Sequence, residues 1–435
     1  MFGFRSTKRA VIASATLAVS ALALTAIPAQ AFNVHAVNGI TSSTIKLGIT
    51  IPLTGSAAPG YNKIPAAMTA YFNYVNENGG VFGRKITLVV KDDQYLPQAA
   101  ILQTNNLILK DKVFAVVGAL GTANNRAVAS SVNLGRRGIP SLFVNTGYSG
   151  FADPMKYPTS FSLFPSYIME AKIMSQYLAE NFAGKKIGLI YQDDDFGTDA
   201  LVGFKQAGLK FDIALPYASG SQSAQNAAIW VGKLKAAGAE VVVMFGVTTA
   251  SGAALATAAA LGYKPQWILG SVGGDATTLK AVGVPSAVLT GAIGASFLPA
   301  PTDTTDPYVS FFQGINTKYN MGAVFDNNVL VGMNTAMMTV QALRAAGTSP
   351  TRNKLIAALE SKGSTFASAG LSPILYAKGV HVGYSGYWFG SYNSSGELKP
   401  VGGNYSIYTT DSGAGPIVKS NYKRPAFPAN GLPTN

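Results

Sequence analysis

Two histidines, His35 and His381, and no cysteine leave this chain poorly equipped for catalysis. A hydrolase needs a base beside its nucleophile, and here one histidine stands in a polar lead-in and the other near a late strand. Without thiols there is no thiolate nucleophile, zinc thiolate centre, disulfide or lipidated cysteine. Asp193, Asp194 and Asp195 stand in a row and invite a calcium reading. An EF-hand loop, however, alternates its oxygen ligands and ends on a glutamate, and this run does neither. One of the three is expected to cap the helix that begins near Gly197, and another to face a crevice. No Gly-x-Gly-x-x-Gly follows the first strand, which counts against a dinucleotide. No catalytic set, no metal set and no cofactor are expected.

What the residues can do is hold a small molecule. Gly118-Ala119-Leu120-Gly121-Thr122-Ala123 runs into a helix expected to start near Asn124. Small residues let backbone amides approach a ligand, and a helix start adds unpaired N–H groups and the positive end of its dipole. A carboxylate suits such a place; a plain tight turn with a threonine cap is the alternative. Asn145 and Thr146 offer short, stiff hydrogen-bonding groups, with Gly147 leaving room beside them. Tyr61 serves equally as an aromatic wall or as packing.

The elements that must position these loops show in the stretch Tyr71–Gly118, where the hydrophobic period changes three times. A helix ends at Gly79-Gly80, and Ile86–Val90 reads as a short strand buried on both faces. Asp92 or Asp93 is expected to cap the next helix, whose stripe of Ile101, Leu102, Leu107 and Ile108 faces the sheet. Val113–Val117 is the following strand, which completes a parallel βαβ unit. Before it stands strand Thr44–Ile51 with its loop Pro52–Ala57, and after it strand Ile139–Val144. The pattern then repeats: helix Tyr167–Asn181, strand Lys186–Tyr191, helix Ala224–Ala237, strand Val241–Phe245 with loop Gly246-Val247-Thr248-Thr249, helix Ser251–Leu261, and strand Trp267–Leu269 with loop Gly270–Asp275. Loops at the carboxyl ends of parallel strands line ligand crevices. The fold class is α/β: two doubly wound parallel-sheet lobes joined by a multi-strand hinge.

Apolar residues make up 48% of the 435 and charged residues 12%, enough for two sizeable cores. The net charge of +13 is scattered, with no basic run that suggests a nucleic-acid groove. Met1–Ala31 has a basic start at Arg5, Lys8 and Arg9, an apolar run from Val11 to Ile27 and an Ala-Gln-Ala cleavage site, which reads as a secretory leader. Residues 32–43 are a lead-in. Lobe 1 is expected over 44–163 and 299–380, lobe 2 over 164–298 and 381–404, and a C-terminal tail, extended along the surface or loose, over 405–435. The Met337-Met338 pair reads as core rather than a cofactor box, and Asn393–Gly396 as the turn of a hairpin.

The sequence Asn-Glu-Asn-Gly-Gly-Val-Phe-Gly, a strand, Lys-Asp-Asp, a helix and Val-Val-Gly (residues 76–118), with IGLIYQDDDFGTDALVGFKQAGLK later, resembles the type I periplasmic substrate-binding proteins of ABC transporters, the leucine/isoleucine/valine-binding family. The resemblance covers most of the chain after its leader. It implies solute capture by hinge closure outside the cytoplasm, in the periplasm or cell envelope, and delivery to the transmembrane subunits of an ABC permease. A ligand sensor and a secreted enzyme are the rival readings. By the same resemblance the ligand carboxylate is held at Leu120, Gly121 and Thr122 and other polar groups at Asn145, Thr146 and Gly147. Asp195, Phe196, Val247, Thr248, Ser271 and Val272 face it from lobe 2, with Phe196 where relatives carry an aromatic that touches the ligand. Amino-acid-binding relatives place an acidic residue where this chain has Val272. A valine leaves an ammonium group uncompensated unless Asp275 or an Asp between 193 and 195 substitutes, so the expected ligand is a small, largely apolar carboxylate: a branched-chain amino acid-like one or, fitting as well or better, an amine-free organic or aromatic acid. No nucleic-acid partner is expected, and the chain is expected to be a monomer.

Overall fold

The chain enters the fold at β1 (Thr44–Ile51), whose branched apolar residues are buried from Leu47 onward. The computed structural model describes residues 37–434; the leader-like segment 1–31 and the start of the lead-in lie outside the described residues. A single turn, α1 (Ala58–Tyr61), and helix α2 (Ile64–Glu77) precede β2 (Lys85–Asp92), α3 (Pro97–Leu109), β3 (Ala115–Val117), α4 (Thr122–Ser131), β4 (Ser141–Val144) and β5 (Ser160–Ser162). The five strands form a parallel sheet in the order β2-β1-β3-β4-β5.

A second series follows the same plan. Helix α5 (Tyr167–Asn181) leads to β6 (Ile187–Gln192), α6 (Asp195–Gln206), β7 (Ile213–Tyr217), α7 (Ala224–Ala237), β8 (Val241–Phe245), α8 (Thr248–Ala260) and β9 (Gln266–Leu269). Two short helices, α9 (Ala276–Ala281) and α10 (Ser286–Leu289), then reach β10 (Ile293–Ser296). Strand β6 pairs in parallel with both β7 and β8, just as β1 pairs with β2 and β3. Each sheet therefore has a topological switch point, and a crevice opens at the carboxyl ends of the strands there.

The chain then returns. Helices α11 (Pro307–Tyr319) and α12 (Asn327–Ala345) pack on α2 in the first lobe, and α13 (Arg352–Lys362) packs on α12. Met337 and Met338 are fully buried in that layer. Antiparallel β11 (Gly386–Tyr392), β12 (Leu398–Pro400), β13 (Tyr408–Thr409) and β14 (Val418–Lys419) extend the second sheet. The three crossings between lobes bond to one another. Tyr384 N–H donates to Leu163 O (3.1 Å), Ser162 N–H to His381 O (3.1 Å) and Leu371 N–H to Phe297 O (3.0 Å). His381 is spent on this hinge: it is buried, stacks on Phe161 and places its ring nitrogens on Ser160 O (3.0 Å) and Glu360 Oε1 (3.2 Å).

Several expectations need correction. Strand β2 is an edge strand, half-exposed over most of its length, because β1 covers only one of its sides. In α3 the buried face is Ala100, Thr104, Leu107 and Ile108, while Leu102 points to solvent. No side chain caps α3, whose first turn carries a proline instead. Asp92 accepts N–H bonds from Leu53 (2.9 Å) and Gln94 (3.0 Å), and Asp93 one from Tyr95 (2.9 Å). Those bonds hold Gln94 and Tyr95 in the left-handed region, at φ 54° and 61°, which bulky residues rarely occupy unaided. Helix α4 starts at Thr122, not near Asn124, and α8 starts at Thr248, not Ser251.

The tail is not loose. Buried Lys172 gathers its 411–415 loop by donating to Asp411 Oδ1 (3.0 Å), Gly413 O (2.6 Å) and Gly415 O (2.9 Å). The rest then crosses to the first lobe, where Phe427 packs on Tyr308 and Phe311. Arg424 pairs there with Asp306, and Tyr71 Oη donates to Gly431 O (2.7 Å).

Candidate functional site

The crevices at the two switch points meet in one small cavity. From the first lobe it is lined by Tyr61, Tyr95, Leu120, Gly121, Thr122, Asn145, Asn327, Asn328 and Val331, and from the other side by Phe164, Tyr167, Phe196, Val247, Ser271 and Val272. Its free volume is about 20 Å³, room for about one water, so the lobes stand nearly shut. Tyr61 spans them: its hydroxyl donates to Val272 O (2.9 Å) and lies 3.3 Å from Thr248 Oγ1. Burial pushes the Tyr61 phenol up to about 12, so it is a neutral donor at ordinary pH. Gln192 Nε2 reaches Tyr95 Oη at 3.3 Å. At the rim Arg126 pairs with Asp195, and Ser149 donates through its N–H (2.6 Å) and hydroxyl (3.0 Å) to Asp199.

Several helix starts meet at this cavity, and two of them differ from the rest. Helices α5, α6, α7, α11, α12 and α13 carry side-chain caps from Ser166, Asp194, Ser223, Asp306, Asp326 and Thr351. Helices α2 and α3 carry a proline in the first turn. Only α4 and α8, among described helices of ten or more residues, have neither. In α4 the first helical bond runs from Asn125 N–H to Gly121 O, which leaves the Thr122, Ala123 and Asn124 amides without an acceptor in the helix. Gly121 sits at φ 103°, and a Cβ there would stand 2.9 Å from the Tyr95 ring, so only glycine admits both the turn and the aromatic. Asn328 adds a buried amide Nδ2 with no partner. No acidic side chain is among the lining residues. The site thus offers donors and a positive dipole end, inside walls of aromatic and aliphatic carbon.

A family model described as periplasmic binding protein matches residues 44–397. The chain belongs to the periplasmic binding protein family. This is a family of solute-binding proteins of transporters rather than of enzymes, and its members are typically periplasmic. Among curated relatives, the binding protein is 26% identical over 292 residues to Leu/Ile/Val-binding protein homolog 7 of Brucella abortus, covering 64% of this chain and 71% of that one. Among solved structures it is similar to a branched chain amino acid ABC transporter protein from Thermus thermophilus with bound valine (TM-score 0.73, 21% identity, 86% of this chain and 98% of the other). It is equally similar to a fatty acid ABC transporter substrate-binding protein from Thermomonospora curvata (TM-score 0.73, 22% identity, 89% and 96%).

Within this periplasmic binding protein, nine of the thirteen residues expected at the site line the cavity: Tyr61, Leu120, Gly121, Thr122, Asn145, Phe196, Val247, Ser271 and Val272. The other four stand behind or beside it. Thr146 is buried under the lining and ties Thr122 Oγ1 (2.6 Å) to Tyr167 Oη (3.3 Å). Gly147 admits the crossover, since a Cβ there would meet Pro165 O at 2.5 Å. Thr248 touches Tyr61, and Asp195 is engaged by Arg126 at the rim. The aspartate run divides its work: Asp194 caps α6 through Phe196 N–H (2.9 Å), Asp195 crosses to the first lobe and Asp193 faces solvent. Asp275 caps α9 (2.7 Å to Thr278 N) and takes Asn327 N–H (3.2 Å), away from the cavity lining.

Sequence reading missed Tyr95, Phe164, Tyr167, Asn327, Asn328 and Val331. Tyr95 follows the carboxyl end of β2, a position that could have marked it. The rest arrive from crossings and from the start of α12, which no local pattern announces. Also missed was Glu170, buried beneath the 270–272 loop, where Ser271 N–H (2.6 Å) and Oγ (2.8 Å) donate to it. Burial pushes its carboxyl up to about 7 despite those bonds.

Proposed function

We propose that this binding protein captures a small carboxylate-bearing solute by hinge closure, with no requirement for an amine, and delivers it to the transmembrane subunits of an ABC importer. Residues 44–163 with 299–380 form one jaw and 164–298 with 381–404 the other, and the leader at 1–31 directs export and is then cleaved. The observation that carries the reading is the uncapped start of α4, at a cavity whose lining has no acidic side chain; at the start of α8 the Val247 and Thr248 amides already donate to the Tyr217 (3.1 Å) and Tyr61 (3.4 Å) hydroxyls. Unpaired amides at a helix start favour an anion, and an ammonium group shut in beside Val272 has no countercharge. The relatives fit this frame, since valine and fatty acids share the carboxylate and differ in the amine. Cross-lobe bonds from Tyr61, Gln192 and Ser149 reward the closed form, and a ligand touching both lobes shifts the balance toward it.

The test is a thermal-shift screen of leucine-type amino acids against amine-free carboxylic acids. A ligand at about 100 times its dissociation constant stabilises by ~2.7 kcal/mol, well within reach of the assay. Amine-free acids are expected to raise the melting temperature. If leucine or valine does so strongly and no simple acid does, the argument from Val272 is wrong.

A further inference from the structure

Beside the cleft lies a second cavity of about 260 Å³, and two residues, Ser271 and Asn327, line both. Its wall is built mainly by the second lobe, with Ala276, Ala295, Trp388 and Leu398 among its apolar surfaces; Ala300 and, just before α12, Phe325 come from the first lobe. Several of the polar groups around it are engaged elsewhere. Asp275 is taken by Thr278 and Asn327, the Trp388 indole N–H by Leu298 O (2.8 Å), Tyr392 Oη by Gly274 O and Lys280 Nζ by Ser395 O (2.9 Å). None of its lining side chains is among the buried polar groups left without a partner. More of its surface is apolar than polar, and carbon-lined space suits a hydrocarbon.

Ser271 on one lobe and Asn327 on the other stand between the two spaces, and Asn327 N–H donates across the lobes to Asp275 Oδ2 (3.2 Å). The room is distributed unevenly, about 20 Å³ at the helix starts and about 260 Å³ beyond them. We infer that the solute is an elongated amphipathic carboxylate: its head rests at the start of α4, and its unbranched tail passes between Ser271 and Asn327 into the second cavity. This rests on the carboxylate reading above and adds to it the length and shape of the ligand.

The experiment is calorimetric titration of the mature protein with acetate, butyrate, hexanoate and octanoate, together with valine. Affinity is expected to rise about fourfold per added methylene once the tail reaches the cavity. Two variants make that space hostile to a hydrocarbon tail: Ala276→Trp fills it from its wall, and Val324→Asp sets a charge on the exposed loop at its edge. Each is expected to collapse the octanoate-to-butyrate affinity ratio at least tenfold; if Ala276→Trp does not fold, the loop variant still gives the reading. A ratio near one in the wild type while butyrate binds, or a steep ratio that survives both variants, overturns the inference and leaves the carboxylate reading standing. Binding of valine with no acid of any length binding overturns both.

Discussion

Replacing Tyr61 by phenylalanine removes the cross-lobe latch while keeping the ring that lines the cavity. The phenol is neutral because burial holds its pKa at about 12, so at neutral pH the lost group is a donor. Its good bond is the 2.9 Å one to Val272 O; the approaches to Thr248 Oγ1 (3.3 Å) and N (3.4 Å) are long. Val272 O keeps a second donor, Thr248 Oγ1 at 3.3 Å, which limits the penalty to about that of one ordinary hydrogen bond, ~1 kcal/mol. The bond exists only when the lobes meet, so the loss falls on closure and lowers the closed-to-open ratio about fivefold. An acid that binds the closed form should weaken by up to the same factor. Small-angle scattering across a ligand titration measures the closed fraction, and calorimetry the affinity. A Thr248→Val companion completes a double-mutant cycle with a coupling of similar size. Unchanged affinity together with an unchanged scattering profile in Tyr61→Phe would refute the assignment of Tyr61 as a latch.

Further outcomes follow from the geometry. Gly121→Ala forces a side chain into a left-handed turn and against Tyr95, and should cost about 1–3 kcal/mol in urea denaturation as well as weaken ligand binding. Removing residues 421–435 exposes Tyr308 and Phe311 and leaves Tyr71 Oη without its acceptor; a loss of about 3–5 kcal/mol is expected from apolar exposure and the unmet bond, and a melting temperature within a degree of wild type would contradict the packed tail. Burial raises Glu170 and Asp93 to about 7 and Asp199 and Asp326 to about 6. These folded values exceed the unfolded ones of about 4, so from pH ~4 to ~7 the native state binds more protons and stability falls as pH rises. The protein should melt higher at pH 5 than at pH 7.5, with a shallower slope in Glu170→Gln; a flat or rising profile counts against it.

The strands and most helices were legible because parallel strands covered by helices leave continuous apolar runs, as in Ile187–Ile190 and Val241–Phe245. The switch points were legible too, since the order of elements decides which loops converge, and Leu120–Thr122 and Phe196 followed from that. What sequence did not show depends on the second partner. Asp92 and Asp93 looked like helix caps, and only the left-handed pair Gln94–Tyr95 reveals that they hold a turn. Gly147 looked like room for a ligand, yet the chain it makes room for is Pro165–Tyr167, which lies close only after the lobes are joined. The tail reads as Gly- and Pro-rich coil, and the aromatic bed that receives it on α2 and α11 is more than a hundred residues away in sequence. The larger cavity is built from four separate segments, none of them remarkable alone.

One of those segments contributes Trp388, and the position of this ring has an optical consequence. The chain has three tryptophans. Trp230 and Trp267 are sealed in the second lobe, the former beside Tyr217, whereas Trp388 stands in the wall of the 260 Å³ space with its indole held by Leu298 O. All three rings are buried, Trp388 most of all at 1% exposure, yet Trp388 alone borders that space, so a guest seated there changes the surroundings of one emitter in three.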